Sequence, residues 1–386
     1  MKYRILLTAL LAVTLSACEE VLLTPVEEEV SSREPVVLLE DVARVLSHVP
    51  LEGEQLDEVH DAAQSSATNG YDEEYRMKEL FLEPGSGVGE TDNTKASSYS
   101  RPLRELLREA AHATKASGTL EDPDAWLEAL SASDIQIYWP FSEQWDGESA
   151  PVITFDPGGD ASQNEGYQLG ADGQLKKVLV TEEMARESPV WVINRNSDAD
   201  YKTLEMLRRE DPDWGNGGGD LVIPTKASTE PKTLVLRSLT AKRNFDSWLA
   251  GASELWVKIA KVEDFKASTE GELRLYDPAI TDFMIVVRRG QKGEEIALNT
   301  VLVSEWTQQL ESCALMIVED DGGTQTTWSC KAKVSIKKDV YGFEVEMPLR
   351  SRDDIIWRGS LARSFVERNN AKTVNLGEVA VVMELI

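Results

Sequence analysis

The segment "CALMIVEDDGGTQTTWSC", Cys313 to Cys330, predicts a β-hairpin. An apolar run that ends at Val318 and a second strand-like run around Trp328 flank an acidic, glycine-rich turn. Asp321-Gly322 is a favoured two-residue turn, because both of its positions need a positive φ that these residue types tolerate. The segment therefore predicts two antiparallel strands that are joined by a tight turn.

The whole chain after residue 232 continues this strand pattern. Few helical patterns interrupt it, except near Leu361 to Val366. Eight strand-like segments follow one another: ELWVKIAKV, DFMIVVRR, EIALNTVLV, CALMIVED, CKAKVSI, YGFEVEMPL, DIIW and EVAVVMEL. Their spacing predicts a β-sandwich of Greek-key or jelly-roll type over residues 233–386. The pattern loosely resembles C2-like and other surface-module sandwiches, and a fold by itself does not give a function.

The two cysteines of the hairpin predict a disulfide. With the turn at Asp321-Gly322, paired residues have numbers that sum to 643, so Cys313 faces Cys330 in a non-hydrogen-bonded pair. Their Cα atoms would lie about 4.5 Å apart, within the disulfide range. A cross-link of this loop would contribute about 3 kcal/mol. A turn shifted to Gly322-Gly323 would misalign the pair, and two buried thiols are the alternative.

The chain before the sandwich is predicted to contain helices first and then a mixture of helices and strands. Residues 35–118 form a mainly helical region, with an apolar stripe through Val42, Val45 and Leu46 and a second helix that begins at Pro102. Residues 119–225 form an α+β region, in which Asp122 caps a helix that begins with Pro123. Prolines and small polar residues predict a linker at 226–232. The predicted fold class is a multidomain chain: a helical and α+β N-terminal region followed by an all-β sandwich.

The N-terminus predicts a secretory signal over residues 1–17. Lys2 and Arg4 precede an apolar run, Ile5 to Leu15, that is too short to span a bilayer. Leu15-Ser16-Ala17-Cys18 then resembles the lipobox of bacterial lipoproteins. This resemblance implies that Cys18 is the first mature residue and carries the lipid that attaches the protein to the membrane. The alternative is an ordinary cleavage site beside an incidental cysteine.

Residues 18–34 predict an acidic tether. Glu19, Glu20 and the run Glu27 to Glu29 make this segment too charged to pack. In lipoproteins, a glutamate after the cysteine favours the outer membrane, and an acidic cluster there resembles surface-export signals. The resemblance therefore implies an outer-membrane lipoprotein that faces the cell exterior. The alternative is a plain solvated linker.

The overall charge excludes nucleic acid as an expected partner. The formal net charge is −28, and removal of residues 1–17 takes away two bases and no acid, which leaves −30. Binding to phosphates needs clustered lysine and arginine.

The sequence also lacks HExxH, GxSxG, Walker and CxxC motifs, and its three histidines have no metal-like spacing.

One aromatic cluster suggests a glycan-binding surface. Tyr138, Trp139 and Trp145 lie close together in the sequence around Pro140. Exposed rings on strands and loops can stack on sugars, whereas the same rings can equally form the core of the α+β region.

One acidic cluster suggests a calcium site. Asp320 and Asp321 follow one strand, and Asp353 and Asp354 precede another. Two strands run between the two loops, so alternating strand direction places both loops at one end of the sandwich. Clustered carboxylates are the ligands that calcium requires. Alternatively, Arg350 and Arg352 pair with these carboxylates.

These features predict a lipid-anchored, surface-exposed binding module for a glycan or a protein partner, which needs no cofactor unless calcium binds. The alternative is a cell-surface glycoside hydrolase. Such an enzyme needs only two carboxyl groups about 5 to 9.5 Å apart, and the sequence does not identify the pair.

Overall fold

The computed structural model describes residues 36–82, 99–115, 120–170, 173–196, 201–215 and 232–386. Residues Pro35–Ile386 form one compact unit. The predicted signal peptide, Cys18, the acidic tether and residues 226–231 of the predicted linker lie outside the described residues.

The N-terminal helices form where the sequence has one apolar face. Their bounds are α1 Leu39–Leu46, α2 Gly53–Thr68, α3 Met77–Leu80, α4 Leu103–Lys115 and α5 Pro123–Ser131. Val42, Val45 and Leu46 are buried as predicted, and Asp122 Oδ1 accepts a hydrogen bond from Ala125 N at 3.2 Å as the cap of α5. Helix α2 was not predicted from the sequence. None of the helices among the described residues is long and apolar enough to cross a membrane.

The helices pack on a six-stranded mixed sheet. Its strands are β1 Glu74–Arg76, β2 Ile135–Tyr138, β3 Val152–Phe155, β4 Gln163–Leu169, β5 Leu175–Thr181 and β6 Val190–Arg195. Their order is β1-β2-β6-β3-β4-β5, and only the β3–β6 pair is parallel. Helix α6, Glu182–Glu187, joins β5 to β6, and α7, Leu204–Glu210, follows β6. Side chains of α1, α2, α4 and α5 share one core with Ile137, Trp191 and Ile193 of the sheet.

The C-terminal part consists of two packed antiparallel sheets, as predicted. Its elements are β7 Lys232–Ala241, β8 Ser253–Lys261, β9 Ala279–Val287, β10 Ile296–Trp306, β11 Leu310–Glu319, β12 Gln325–Ile336, β13 Asp339–Arg350, β14 Asp354–Ala362, α8 Arg363–Arg368, β15 Lys372–Leu376 and β16 Val379–Leu385. The small sheet has the order β10-β7-β16-β15. The large sheet has the order β13-β12-β11-β8-β9, and β14 also pairs with β11. Lys232, placed in the linker by the sequence, begins β7.

The first and last strands of the sandwich pair inside the small sheet. Thr233 N donates to Ile386 O at 2.8 Å, and Ile386 N donates to Thr233 O at 3.0 Å. Strand β7 therefore has β10 on one side and β16 on the other. Strand β16 therefore lies next to β7 although all the other sandwich strands come between them in the sequence.

Strand β11 is buried on both faces. Cys313, Leu315 and Ile317 point into the core between the two sheets. The alternate residues Ala314 and Met316 belong to a second apolar cluster, where the β12–β13 hairpin lies against the other face of β11. Because successive side chains of a strand point to opposite faces, one apolar run supplies both cores.

The predicted disulfide is not formed. Cys313 and Cys330 are free thiols, and both are buried. Cys313 lies in the core between the sheets, whereas Cys330 lies in the cluster on the other face of β11.

The predicted register was wrong because the turn is longer than two residues. Gly322 and Gly323, rather than Asp321, have positive φ, and β11 pairs with β12 only at Leu310 and Ser312. Beyond these residues, β14 and β8 occupy the two edges of β11.

Candidate functional site

The loop between β7 and β8, residues 242–252, packs against the mixed sheet, and we call it the docking loop. Trp248 Nε1 donates to Ser162 O at 2.9 Å, and Ala252 N donates to Asp72 Oδ2 at 2.8 Å. Trp248 and Leu249 also pack against buried side chains of the mixed sheet. These contacts fix the position of Asp246, which lies in the same loop.

Three carboxyl groups converge beside the docking loop, and we call them the carboxyl triad. Asp246 comes from the docking loop, Glu254 from β8, and Glu319 from the last position of β11. Their ligand oxygens all lie within 4.8 Å of one another. A hydrogen bond from Asp320 N to Glu254 O, 3.1 Å long, holds the two strand ends together.

The burial of Glu319 follows from the strand pattern. Glu319 continues the inward-facing series of Cys313, Leu315 and Ile317, so its side chain points into the sandwich at the rim. It is 1% exposed, and its Oε1 has no hydrogen-bond partner among the described residues. Asp246 Oδ2 is likewise buried without a partner among them. Asp246 and Glu319 also contact each other, so a proton shared between the two carboxyl groups, or a bound cation, would satisfy these oxygens.

Burial and mutual repulsion raise the pKa values in this cluster. Burial, together with the neighbouring Asp246 and Asp321, raises the pKa of Glu319 to about 11. Burial also raises the pKa of Asp246. The pKa of Asp321 rises to about 6 through burial and the charges of Asp246 and Asp354. The buried Arg289 lies nearby, and its Nη2 donates to the main-chain oxygen of Asp246 at 2.8 Å.

The carboxyl triad borders a cleft between the mixed sheet and the sandwich, which we call the acidic cleft. Its volume is about 410 Å³. The acids that line it are Asp156 on the mixed-sheet side and Asp246, Glu254, Asp320 and Asp321 on the sandwich side. Arg195 is the one basic residue among the described residues of its lining, and Arg195 forms an ion pair with Asp134.

The two loops predicted to bind calcium do lie at the same end of the sandwich. Ser351 N donates to Thr324 O at 2.9 Å, and β11 pairs with β14 at Glu319 and Asp354. The predicted geometry of the loops is confirmed.

Three of the four predicted ligands are nevertheless held by other groups. Asp320 lies 3.5 Å from Arg350, Asp353 accepts a hydrogen bond from the main-chain N of Arg350 at 2.7 Å, and Asp354 lies 3.7 Å from Arg243. Calcium binding by this set therefore stays a prediction. Within the described part of the chain, it is the carboxyl triad that brings three ligand oxygens together.

The aromatic cluster is mostly core. Tyr138 is 0% exposed and Trp139 is 1% exposed, so neither ring can stack on a sugar, and their predicted role in glycan binding was wrong. Trp139 packs in the core between the helices and the mixed sheet, and Tyr138, the last residue of β2, packs in the cluster that contains Trp248 and Leu249 of the docking loop. Trp145 is half-buried and lines a small pocket of about 140 Å³. It packs on Trp139 with ring centroids 5.3 Å apart.

A carboxyl pair lies beside these rings, but it lacks the spacing of a glycosidase. The buried Glu73 forms a side-chain hydrogen bond with Glu143, so the two groups are in direct contact. Burial and Glu143 raise the pKa of Glu73 to about 9. Glycosidases separate their carboxyl groups by about 5 to 9.5 Å to leave room for a sugar.

Sequence reasoning missed the carboxyl triad as a unit. Glu319 precedes the predicted aspartates in the sequence. It continues the alternate positions of β11 that face the core, and this alternation was the feature that could have identified it as buried. Asp246 and Glu254 carried no signal, because the docking loop brings Asp246 to the end of β11 and the pairing of β8 with β11 brings Glu254 there.

Comparison of the chain with models of known protein families, with curated proteins and with solved structures finds no match.

Proposed function

We propose that the protein is a non-catalytic binding module, held at the outer membrane by lipid on Cys18, that takes up a basic segment of a protein partner in the acidic cleft. The observation that carries the proposal is the charge of the cleft. Five carboxyl groups line it against one arginine, and that arginine is already paired.

The charge of the whole chain supports the same partner. A formal net charge of −28 attracts basic proteins over long range and speeds their encounter. The cleft, at about 410 Å³, has room for a lysine or arginine side chain rather than for a folded domain. The bound segment would therefore be a loop or a tail of the partner.

Binding of basic peptides tests this function. A lysine- and arginine-rich peptide should bind, and its affinity should fall as salt rises. The double variant Asp156→Asn with Asp321→Asn removes one charge from each side of the cleft and should weaken binding by at least about tenfold, or about 1.4 kcal/mol. Glu346→Gln, an exposed acid on β13, is the matched control and should bind like the wild type. Equal binding by the double variant and the wild type would contradict the proposal.

The glycan alternative has a separate test. Since two of the three predicted rings are buried, we expect no binding on a glycan array. Specific retention of a sugar that Trp145→Ala abolishes would replace the basic segment with a glycan as the ligand.

The anchor is tested on the mature N-terminus. Mass spectrometry should find diacylglycerol on Cys18, and Cys18→Ser should release the protein or leave it as an unprocessed precursor. An unmodified mature chain in the soluble fraction would refute the anchor while leaving the cleft proposal open to its own test.

A further inference from the structure

The carboxyl triad has unsatisfied oxygens in a buried position. Oε1 of Glu319 and Oδ2 of Asp246 have no hydrogen-bond partner among the described residues, and Glu319 is 1% exposed. A buried carboxyl group keeps its proton, pairs with a cation or coordinates a metal, because an isolated buried charge is very unfavourable. Arg289 contributes a hydrogen bond to a main-chain oxygen of this group. The two side-chain oxygens thus remain available to a bound cation.

The oxygens of the triad are close enough for one cation to contact all three. Their ligand oxygens all lie within 4.8 Å of one another. Two oxygens bound to one calcium ion are separated by at most about 4.6 to 5.2 Å, which is twice the metal–oxygen distance. Calcium also accepts irregular arrangements of ligands, whereas magnesium demands near-ideal octahedral geometry at about 2.0 to 2.1 Å. Calcium is therefore the cation that the triad fits with small side-chain adjustments.

We propose that Asp246, Glu254 and Glu319 bind one calcium ion at the base of the acidic cleft. Calcium takes about six to eight oxygen ligands. Asp321, whose carboxyl group contacts Glu319, is a further ligand, and water in the cleft supplies the remaining ones. Asp246 and Glu254 line the cleft, which gives the ion a path from solvent.

A bound ion would also connect the two parts of the molecule. Asp246 belongs to the docking loop, which packs on the mixed sheet, while Glu254 and Glu319 belong to the large sheet of the sandwich. Calcium would replace mutual repulsion with attraction at this junction. Because it assigns a ligand to the acidic cleft, the inference rests on the proposed function, but the experiment separates the two.

The experiment measures calcium binding to the purified protein by isothermal titration calorimetry after removal of metal with a chelator. We expect one calcium ion per chain, a higher melting temperature with calcium, and weaker binding of magnesium. Glu319→Gln and Asp246→Asn each remove a ligand charge. Loss of a residue that merely supports a ligand costs about tenfold to a hundredfold in affinity, so each variant should weaken binding by at least about tenfold.

Asp354→Asn is the matched control, because Asp354 lies at the same rim, outside the triad and beside Arg243. It should bind calcium nearly as well as the wild type. Circular dichroism in chelator establishes that each variant is folded. If Glu319→Gln does not fold, calcium binding by Asp246→Asn, a substitution at a half-buried loop position, tests the site instead. The inference is overturned if the wild type binds no calcium at millimolar concentration. It is equally overturned if Asp354→Asn loses binding while the folded triad variants keep it.

Two results separate this inference from the proposed function. Calcium binding without binding of a basic peptide supports the metal site and contradicts the function. Peptide binding in the presence of chelator, together with no calcium binding, supports the function and contradicts the metal site.

Discussion

Glu73→Gln should make the stability of the protein less dependent on pH. Glu73 is 2% exposed, and its Oε1 accepts hydrogen bonds from Ser142 N and Ser142 Oγ, both at 3.0 Å. Burial and the neighbouring Glu143 raise its pKa from 4.5 to about 9. The folded protein therefore keeps a proton on Glu73 at pH 7, while the unfolded chain has lost it.

The size of the effect follows from this proton. Between pH 4.5 and about 9 the folded state binds one more proton than the unfolded state, so the free energy of unfolding falls as pH rises. The slope from this group is about 1.4 kcal/mol per pH unit, or about 2.7 kcal/mol between pH 6 and pH 8. Glutamine cannot titrate, so the variant should lack this part of the slope.

Urea unfolding at pH 6 and pH 8, followed by tryptophan fluorescence in chelator, measures the difference. The substitution also removes one of the two carboxyl oxygens of Glu73, the acceptor of the 3.3 Å hydrogen bond from Phe141 N, which shifts both values by about 1 kcal/mol without changing the slope. Glu346→Gln, at an exposed position of β13, is the control, and its free energy of unfolding should change between pH 6 and pH 8 by the same amount as that of the wild type. If the free energy of unfolding of Glu73→Gln also changes by the wild-type amount, Glu73 is ionised in the folded protein and the reasoning fails.

Three further predictions test the sandwich and the aromatic core. Gly377→Ala should lower the free energy of unfolding by about 2 to 4 kcal/mol, because φ is +62° and a Cβ would lie 2.3 Å from a main-chain oxygen of β14. Gly293→Ala, with φ +83° and open space around it, is the control and should lower it by only about 1 kcal/mol. Equal losses of stability in the two variants would exclude the steric clash at Gly377. Alkylation without reductant should label Cys313 and Cys330 in the denatured protein and neither in the native one, whereas a denatured protein that takes up no label would restore the disulfide. Trp139→Ala should cost about 3 to 5 kcal/mol in urea unfolding, and a near-neutral effect would show that the ring is not core.

The sequence predicted the sandwich well because its strands are strongly apolar and separated by turn residues. All eight predicted segments lie in strands, and the helix near Leu361 is α8. The sequence analysis missed two strands of the sandwich, β7, which follows directly after the predicted linker, and β15. In the N-terminal region it missed α2. Helix α2 begins at a glycine, and its apolar side chains are small, so its pattern is weak. Its start is fixed instead by reciprocal hydrogen bonding between Glu52 and Gln55, which single-residue patterns do not reveal.

Hairpin register and the site depended on contacts between distant parts of the chain. The sequence offered both Asp321-Gly322 and Gly322-Gly323 as turns. The structure places positive φ at the two glycines, and a tight hairpin with β12 cannot form because β8 and β14 occupy the two edges of β11 from Ala314 to Glu319. The carboxyl triad could not be predicted for the same reason. Glu319 was visible in the acidic segment, but the three strands β8, β9 and β10 lie in the sequence between Asp246 and the strand that contains Glu319.

The pairing of β7 with β16 sets the order in which the sandwich can be completed during synthesis. Strand β7 leaves the ribosome first among the sandwich strands, yet its partner β16 follows all the other strands of the sandwich. Domains that fold during synthesis generally do so from the N-terminus, and a strand left without its partner exposes an edge that can aggregate. The mixed sheet can thus form on the growing chain, whereas the small sheet must wait until β16 has been synthesised. A chain truncated before β16 would leave one edge of β7 unpaired, so this loss should destabilise the sandwich more than the small number of missing residues suggests.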